Sequence, residues 1–168
     1  MLFKYFYKIV WCIGLILLQV LVLNNIHIFG LATPLLYVYF LLKFDSSASR
    51  NELMLWAFFM GMAIDVFSDS LGMHAAAAVL LAFVRPVLLR LFTPRDAFDN
   101  IVPSVRTMGG SFFYKYLFSA LMVHHSVLLL LGFFSLSHLP FLLAKIACCI
   151  LFTALCVTAV EWIRKDHA

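Results

Sequence analysis

Apolar residues run along this chain in six blocks, near 9–29, 31–43, 53–70, 71–92, 112–134 and 139–163, with short polar interruptions between them. A block of about 20 apolar residues, coiled as a helix, matches the thickness of a bilayer's hydrocarbon core. The pattern therefore predicts an all-α, polytopic membrane protein: one integral domain over 1–168, built as a six-transmembrane-helix bundle. The second block is short and opens near Pro34, so hydropathy alone does not decide whether it crosses.

Basic residues decide it. With six spans and a cytoplasmic N-terminus, Lys4, Lys8, Lys43, Arg50, Arg85, Arg90, Arg95, Arg106, Lys115, Arg164 and Lys165 all fall on the inner side. Lys145 alone does not. If the second block failed to cross, most of these cations would move outside, against the inward bias of Lys and Arg. Both termini are thus expected in the cytoplasm. Lys4 and Lys8 ahead of Ile9–Leu23 look like the start of a signal peptide, but no small-x-small cleavage site follows, and the segment reads as a retained first helix.

Composition agrees. Of 168 residues, 65% are hydrophobic and only 12% charged, too apolar for a soluble domain of this size to cover. The lipid bilayer is the expected solvent. No glycine-rich phosphate loop and no basic run interleaved with aromatics appears, so nucleic acid is not an expected partner. Cys12, Cys148, Cys149 and Cys156 lie in apolar blocks without metal-ligand spacing and read as small packing residues. The inner loop from Thr93 to Arg106 carries two prolines and mixed charge. It reads as an interfacial loop held to anionic lipid by Arg90, Arg95 and Arg106, or as a contact surface for a cytoplasmic protein.

The third block holds the most informative side chains. Ala57, Gly61, Asp65, Ser68 and Gly72 follow at helical spacings and form one stripe of small and polar groups. Small residues admit close helix approach, and an ionisable group in hydrocarbon must face protein or a wet cavity. The stripe is therefore a helix-packing or partner-binding seam. Asp65 and Lys145 lie at matching depths of roughly 7 and 9 Å from the outer ends of their segments, at 1.5 Å per residue. A lone charge at a helix centre costs about 2.5–3.5 kcal/mol on insertion scales. Two arrangements relieve this: an Asp65–Lys145 ion pair, or a snorkelling Lys145 with Asp65 capped by Ser68 or neighbouring hydroxyls. Gln19, His124 and His125 near mid-bilayer are expected to hydrogen-bond across helices. The adjacent histidines diverge by about 100°, poor geometry for one metal. No metal, no cofactor and no catalytic constellation is expected.

The run Phe59 to Ala75 resembles the hairpin of the MreD family of rod-shape-determining membrane proteins, with Gly61, Asp65, Ser68, Leu71 and Gly72 as the matching positions. Pro34 opening the second block, the chain length and the span count fit as well. The resemblance implies a non-enzymatic subunit of the bacterial cell-elongation complex in the inner membrane. Such a subunit binds the single-span protein MreC and helps couple cytoskeletal MreB filaments to peptidoglycan synthases. The family is also similar in fold to the S-components of energy-coupling-factor vitamin transporters. Those carry an Ala-x-x-x-Ala seam on helix one, whereas this chain reads Trp11 to Leu18 there without such a pair. The alternative reading, a vitamin-binding component of an uptake transporter, expects a cavity opening outward near Asn24, Asn25, His27 and Asp65.

Overall fold

Five helices of 19 to 28 residues make the frame of the molecule: α1 (Leu2–Leu21), α3 (Arg50–Ser68), α4 (Met73–Phe92), α6 (Gly110–Gly132) and α7 (Leu139–Asp166). Two short ones, α2 (Val38–Leu42) and α5 (Val105–Met108), complete the helices, and a 3-10 turn over Leu23–Asn25 follows α1. The computed structural model describes residues 2–26, 33–93, 101–132 and 139–166, among which no strand occurs. The expected loop residues 27–32, 94–100 and 133–138, including His27 and Arg95, lie outside the described residues.

Among the described residues four stretches are long and apolar enough to cross a membrane: Tyr5–Asn25, Met73–Phe92, Gly110–Gly132 and Pro140–Arg164. At 1.5 Å per residue each spans about 30 Å or more. Their outward faces are oily, with Phe6, Leu17, Phe83, Met122, Leu143 and Leu155 all exposed, as a lipid solvent requires. α3 reaches spanning length but carries Glu52 and Asp65 and is less apolar. The block at 31–43 departs most from expectation, because only Val38–Leu42 is helical. Pro34 lacks an N–H and disfavours helix at the residue before it, so the chain enters extended and coils only after a turn at Leu36 and Tyr37. Every residue from Leu35 to Phe44 is nonetheless buried.

Packing follows side-chain size. α4 sits against both α3 and α6, presenting Ala75, Ala77, Ala78, Leu81 and Ala82 to the interior. α7 packs on α6, and α1 on α3. Pro86 does not end α4, which continues to Phe92, although Arg85-Pro86 reads in the sequence as a kink or exit. The described ends of the chain lie together. Lys8 of α1 bonds Glu52 of α3 at 3.0 Å, and the Arg164 guanidinium of α7 lies 5.4 Å over the Trp11 ring. We term this the terminal end. The α3–α4 turn marks the opposite, hairpin end, where Asn24 donates to the Ser68 hydroxyl at 2.7 Å.

Candidate functional site

The α3–α4 hairpin is held by one carboxylate. Asp69 leaves α3 in a left-handed conformation (φ 50°), and Gly72 enters α4 at φ 79°, a region costly for a residue with a Cβ. Gly72 has no side chain to cap the new helix. Asp65 caps it instead, from the neighbouring helix. Its Oδ1 accepts from the His74 backbone N–H at 3.0 Å and the Ser70 hydroxyl at 2.6 Å, and its Oδ2 accepts from the Ala75 N–H at 2.9 Å. His74 Nδ1 lies 2.9 Å from the same Oδ1. Two otherwise orphaned donors of the first turn are thereby satisfied, at the end of the helix where the dipole favours negative charge.

Gly61, one turn earlier, explains why the carboxylate can reach. A Cβ there would lie 2.4 Å from Ala75 Cα and 2.6 Å from its nitrogen, so the two backbones touch. Ala57, Gly61 and Asp65 are all buried on this face. The stripe read from the sequence is thus an internal seam between α3 and α4. Its two remaining members do other work: Ser68 bonds Asn24, and Gly72 shapes the turn. Of the two arrangements open from the sequence, the Asp65–Lys145 ion pair does not form, and Asp65 is capped by a neighbouring hydroxyl, that of Ser70 rather than Ser68. Ion pairs among the described residues are Lys8–Glu52, Lys43–Glu161 and His74–Asp65. The physical reason is that the carboxylate's acceptor sites are taken by its own hairpin. Ser70, His74 and Asp65 also make no nucleophilic relay, because hydroxyl and carboxylate both meet the same ring nitrogen, whereas a relay needs His to bridge them through two.

Beside the hairpin, polar side chains from four helices clamp the buried segment 34–44. Backbone that is neither helix nor sheet survives at membrane depth only where protein supplies its hydrogen bonds. Gln19 of α1 donates to the Pro34 carbonyl at 3.0 Å and accepts from the Tyr37 N–H at 3.4 Å. Thr153 of α7 accepts from the Leu35 N–H at 3.0 Å. At the far end Arg85 of α4, 3% exposed, donates to the Leu42 and Phe44 carbonyls and to the Tyr116 hydroxyl of α6. Tyr116 in turn donates to the Leu42 carbonyl at 3.3 Å. His125 meets Thr153 of α7 at 3.1 Å, a bond between helices as its position predicts, whereas His124 meets the hydroxyl of Tyr37, in the turn before α2, at 2.7 Å.

Tyr37, Arg85, Tyr116 and Thr153 are the functional residues that sequence reasoning misses. The available signal was Arg85 itself: a five-donor side chain in an alanine-rich helix implies carbonyls outside that helix.

A cavity of about 500 Å³ opens at the hairpin end. Asn24, Asn25, Ser68, His74, His125 and Lys145 supply its polar lining, and Leu35, Phe67, Leu128 and Leu129 its apolar wall. Lys145 therefore shares a cavity with His74, the direct partner of Asp65, without reaching Asp65. Asp65 itself stands behind His74, in the hairpin wall. No protein-family model, curated protein or solved structure matches the chain.

Proposed function

We propose that this protein is a scaffold subunit of a bacterial cell-elongation complex, of the MreD kind, acting without catalysis. The observation that carries the reading is the hairpin knot. Gly61, Asp65 and Gly72 are the positions of resemblance to that family, and each has a specific structural task that its residue type alone performs well. The partners on this reading are the single-span protein MreC in the membrane and, on the cytoplasmic side, MreB filaments and cell-wall synthases.

A six-pass topology in the inner membrane belongs to the same proposal. Five long helices plus the buried segment 33–44 supply six passes, with the segment crossing as a clamped extended chain and short helix. Both described chain ends lying at one end agrees with an even number. Lys8, Lys43, Arg50, Arg106, Lys115 and Arg164 gather toward that end and Lys145 toward the other, which favours cytoplasmic termini by the inward bias of basic residues. Because α4 occupies the Ala57–Gly61 seam, a partner's transmembrane helix docks on an outward face and the seam supports it from inside.

Depletion in a rod-shaped host tests this reading, with cell shape and co-purification of MreC scored together. Rounded cells and a retained partner support it; normal rods overturn it. A second reading, a vitamin-binding component of an uptake transporter with a fold like an energy-coupling-factor S-component, is favoured by the hairpin-end cavity: of the four residues expected around its ligand, Asn24 and Asn25 line the cavity, Asp65 does not, and His27 lies outside the described residues. Native mass spectrometry showing a stoichiometric vitamin, with an auxotrophy on depletion, would replace the first reading by this one.

A further inference from the structure

The terminal end carries a second chemistry, independent of the elongation reading. A cleft of about 410 Å³ between α5, α6 and α7 is bordered by Lys43, Ser104, Arg106, Thr107, Trp162 and Arg164. Among the described residues Glu161 is its one carboxylate, and three cations face it. That acid is already committed, because Glu161 pairs with Lys43 and accepts from the Tyr39 hydroxyl at 2.7 Å. Lys43 is a built feature rather than a surface charge, its side chain only 7% exposed. Arg106 and Arg164 are exposed and stand in excess of the carboxylate. The Arg164 guanidinium lies 5.4 Å over the Trp11 ring, and the planar fork of N–H donors that such a group carries can take two oxygens of one phosphate.

Position selects the ligand. Trp162 and Tyr114 border the cleft near the ends of their helices, at the level where aromatic side chains mark the water–lipid boundary. A second cleft of about 510 Å³ shares Lys43, Val102 and Arg164 with the first and adds Tyr7, Trp11, Phe40 and Phe44 to its wall, with Lys8 and Asp45 as one further cation and one further acid. Charge at the mouth and an oily continuation beside it fit a molecule with an anionic head and an acyl tail. Basic pockets between transmembrane helices are sites of this type for anionic headgroups. We propose that this cleft binds the phosphate headgroup of an anionic phospholipid, with Arg106 and Arg164 as its ligands and Lys43 as the buried cation behind them.

The test is native mass spectrometry of the full chain in detergent, titrated with phosphatidylglycerol or phosphatidylcholine. R106Q and R164Q are compared with K115Q, whose cation does not border the cleft. Wild type and K115Q retain phosphatidylglycerol in preference to phosphatidylcholine, and each cleft variant binds it about fivefold more weakly, as expected for one cation at a membrane surface. Thermal midpoints of the variants check folding, and agreement between R106Q and R164Q guards against a defect in either alone. Equal retention of the two lipids, or cleft variants that behave as K115Q, overturns the proposal. Complete displacement of the lipid by inorganic phosphate also overturns it, assigning the cleft to a soluble phosphate.

Discussion

At the scale of single residues, the hairpin depends on one absent methyl and one present carboxylate. Gly61→Ala puts a carbon 2.4 Å from Ala75 Cα, and no flexible side chain is there to yield, so α3 and α4 must separate. The expected cost is about 1–3 kcal/mol, the range for overpacking, read as a lowered unfolding midpoint in detergent. Asp65→Ala strands the His74 and Ala75 N–H groups and the Ser70 hydroxyl, and should cost at least as much. For the same reason the exchange Asp65→Lys with Lys145→Asp should accumulate no better than Asp65→Lys alone. Recovery of wild-type levels by the exchange would refute the capping role. The sequence made Asp65 conspicuous as an acid in an apolar block, and it made the small stripe legible by spacing. It left the partner open, because the acceptor sites of Asp65 are filled from the turn and the start of the next helix, whose backbone directions no side-chain pattern encodes.

Elements divide in the same way. α4, α6 and α7 fall close to the blocks 71–92, 112–134 and 139–163, because a helix satisfies its own backbone and needs only apolar length to be recognised. The 31–43 block is apolar too, yet its conformation is decided by side chains distant in sequence. Gln19 and Thr153 hold one end, Arg85 and Tyr116 the other. Thr153→Val, nearly isosteric, removes the acceptor of the Leu35 N–H and should weaken the clamp by about 0.6–2 kcal/mol. Hydrogen exchange at Leu35 should rise while exchange along α4, which Thr153 does not bond, stays unchanged. Arg85→Lys keeps the charge but loses the fork that reaches two carbonyls and a hydroxyl together, and should free exchange near Phe44. Exchange unaffected by either change would mean that the segment is held by burial alone.

The whole molecule has two unlike ends. One gathers the basic residues and the described chain ends; the other carries the α3–α4 turn and the polar cavity. Cysteine scanning in a background lacking the four native cysteines reads this asymmetry directly. On the orientation proposed above, Ser47→Cys, exposed at the terminal end, should react with an impermeant thiol reagent only in inverted vesicles, and Asn25→Cys, exposed at the hairpin end, only in intact spheroplasts. Labelling of both from the same side would exclude a membrane-crossing frame between them. Charge distribution made this polarity readable from the sequence. The hairpin-end cavity was legible only as an expectation of the vitamin-binding alternative, and the two clefts of the terminal end were not legible at all, since they arise where helices diverge, which depends on side-chain volumes summed over several elements.

The cross-helix cap has a consequence for biosynthesis. α3 arrives at the insertion machinery first, with an acid near its trailing end and nothing yet made to solvate it. Only when the opening turn of α4 emerges does Asp65 acquire its donors. On the six-pass reading the two segments therefore leave the translocation channel for the bilayer as a joined pair: α3 should crosslink to the channel in a nascent chain exposed only as far as Ser68, and no longer in one exposed through Phe92.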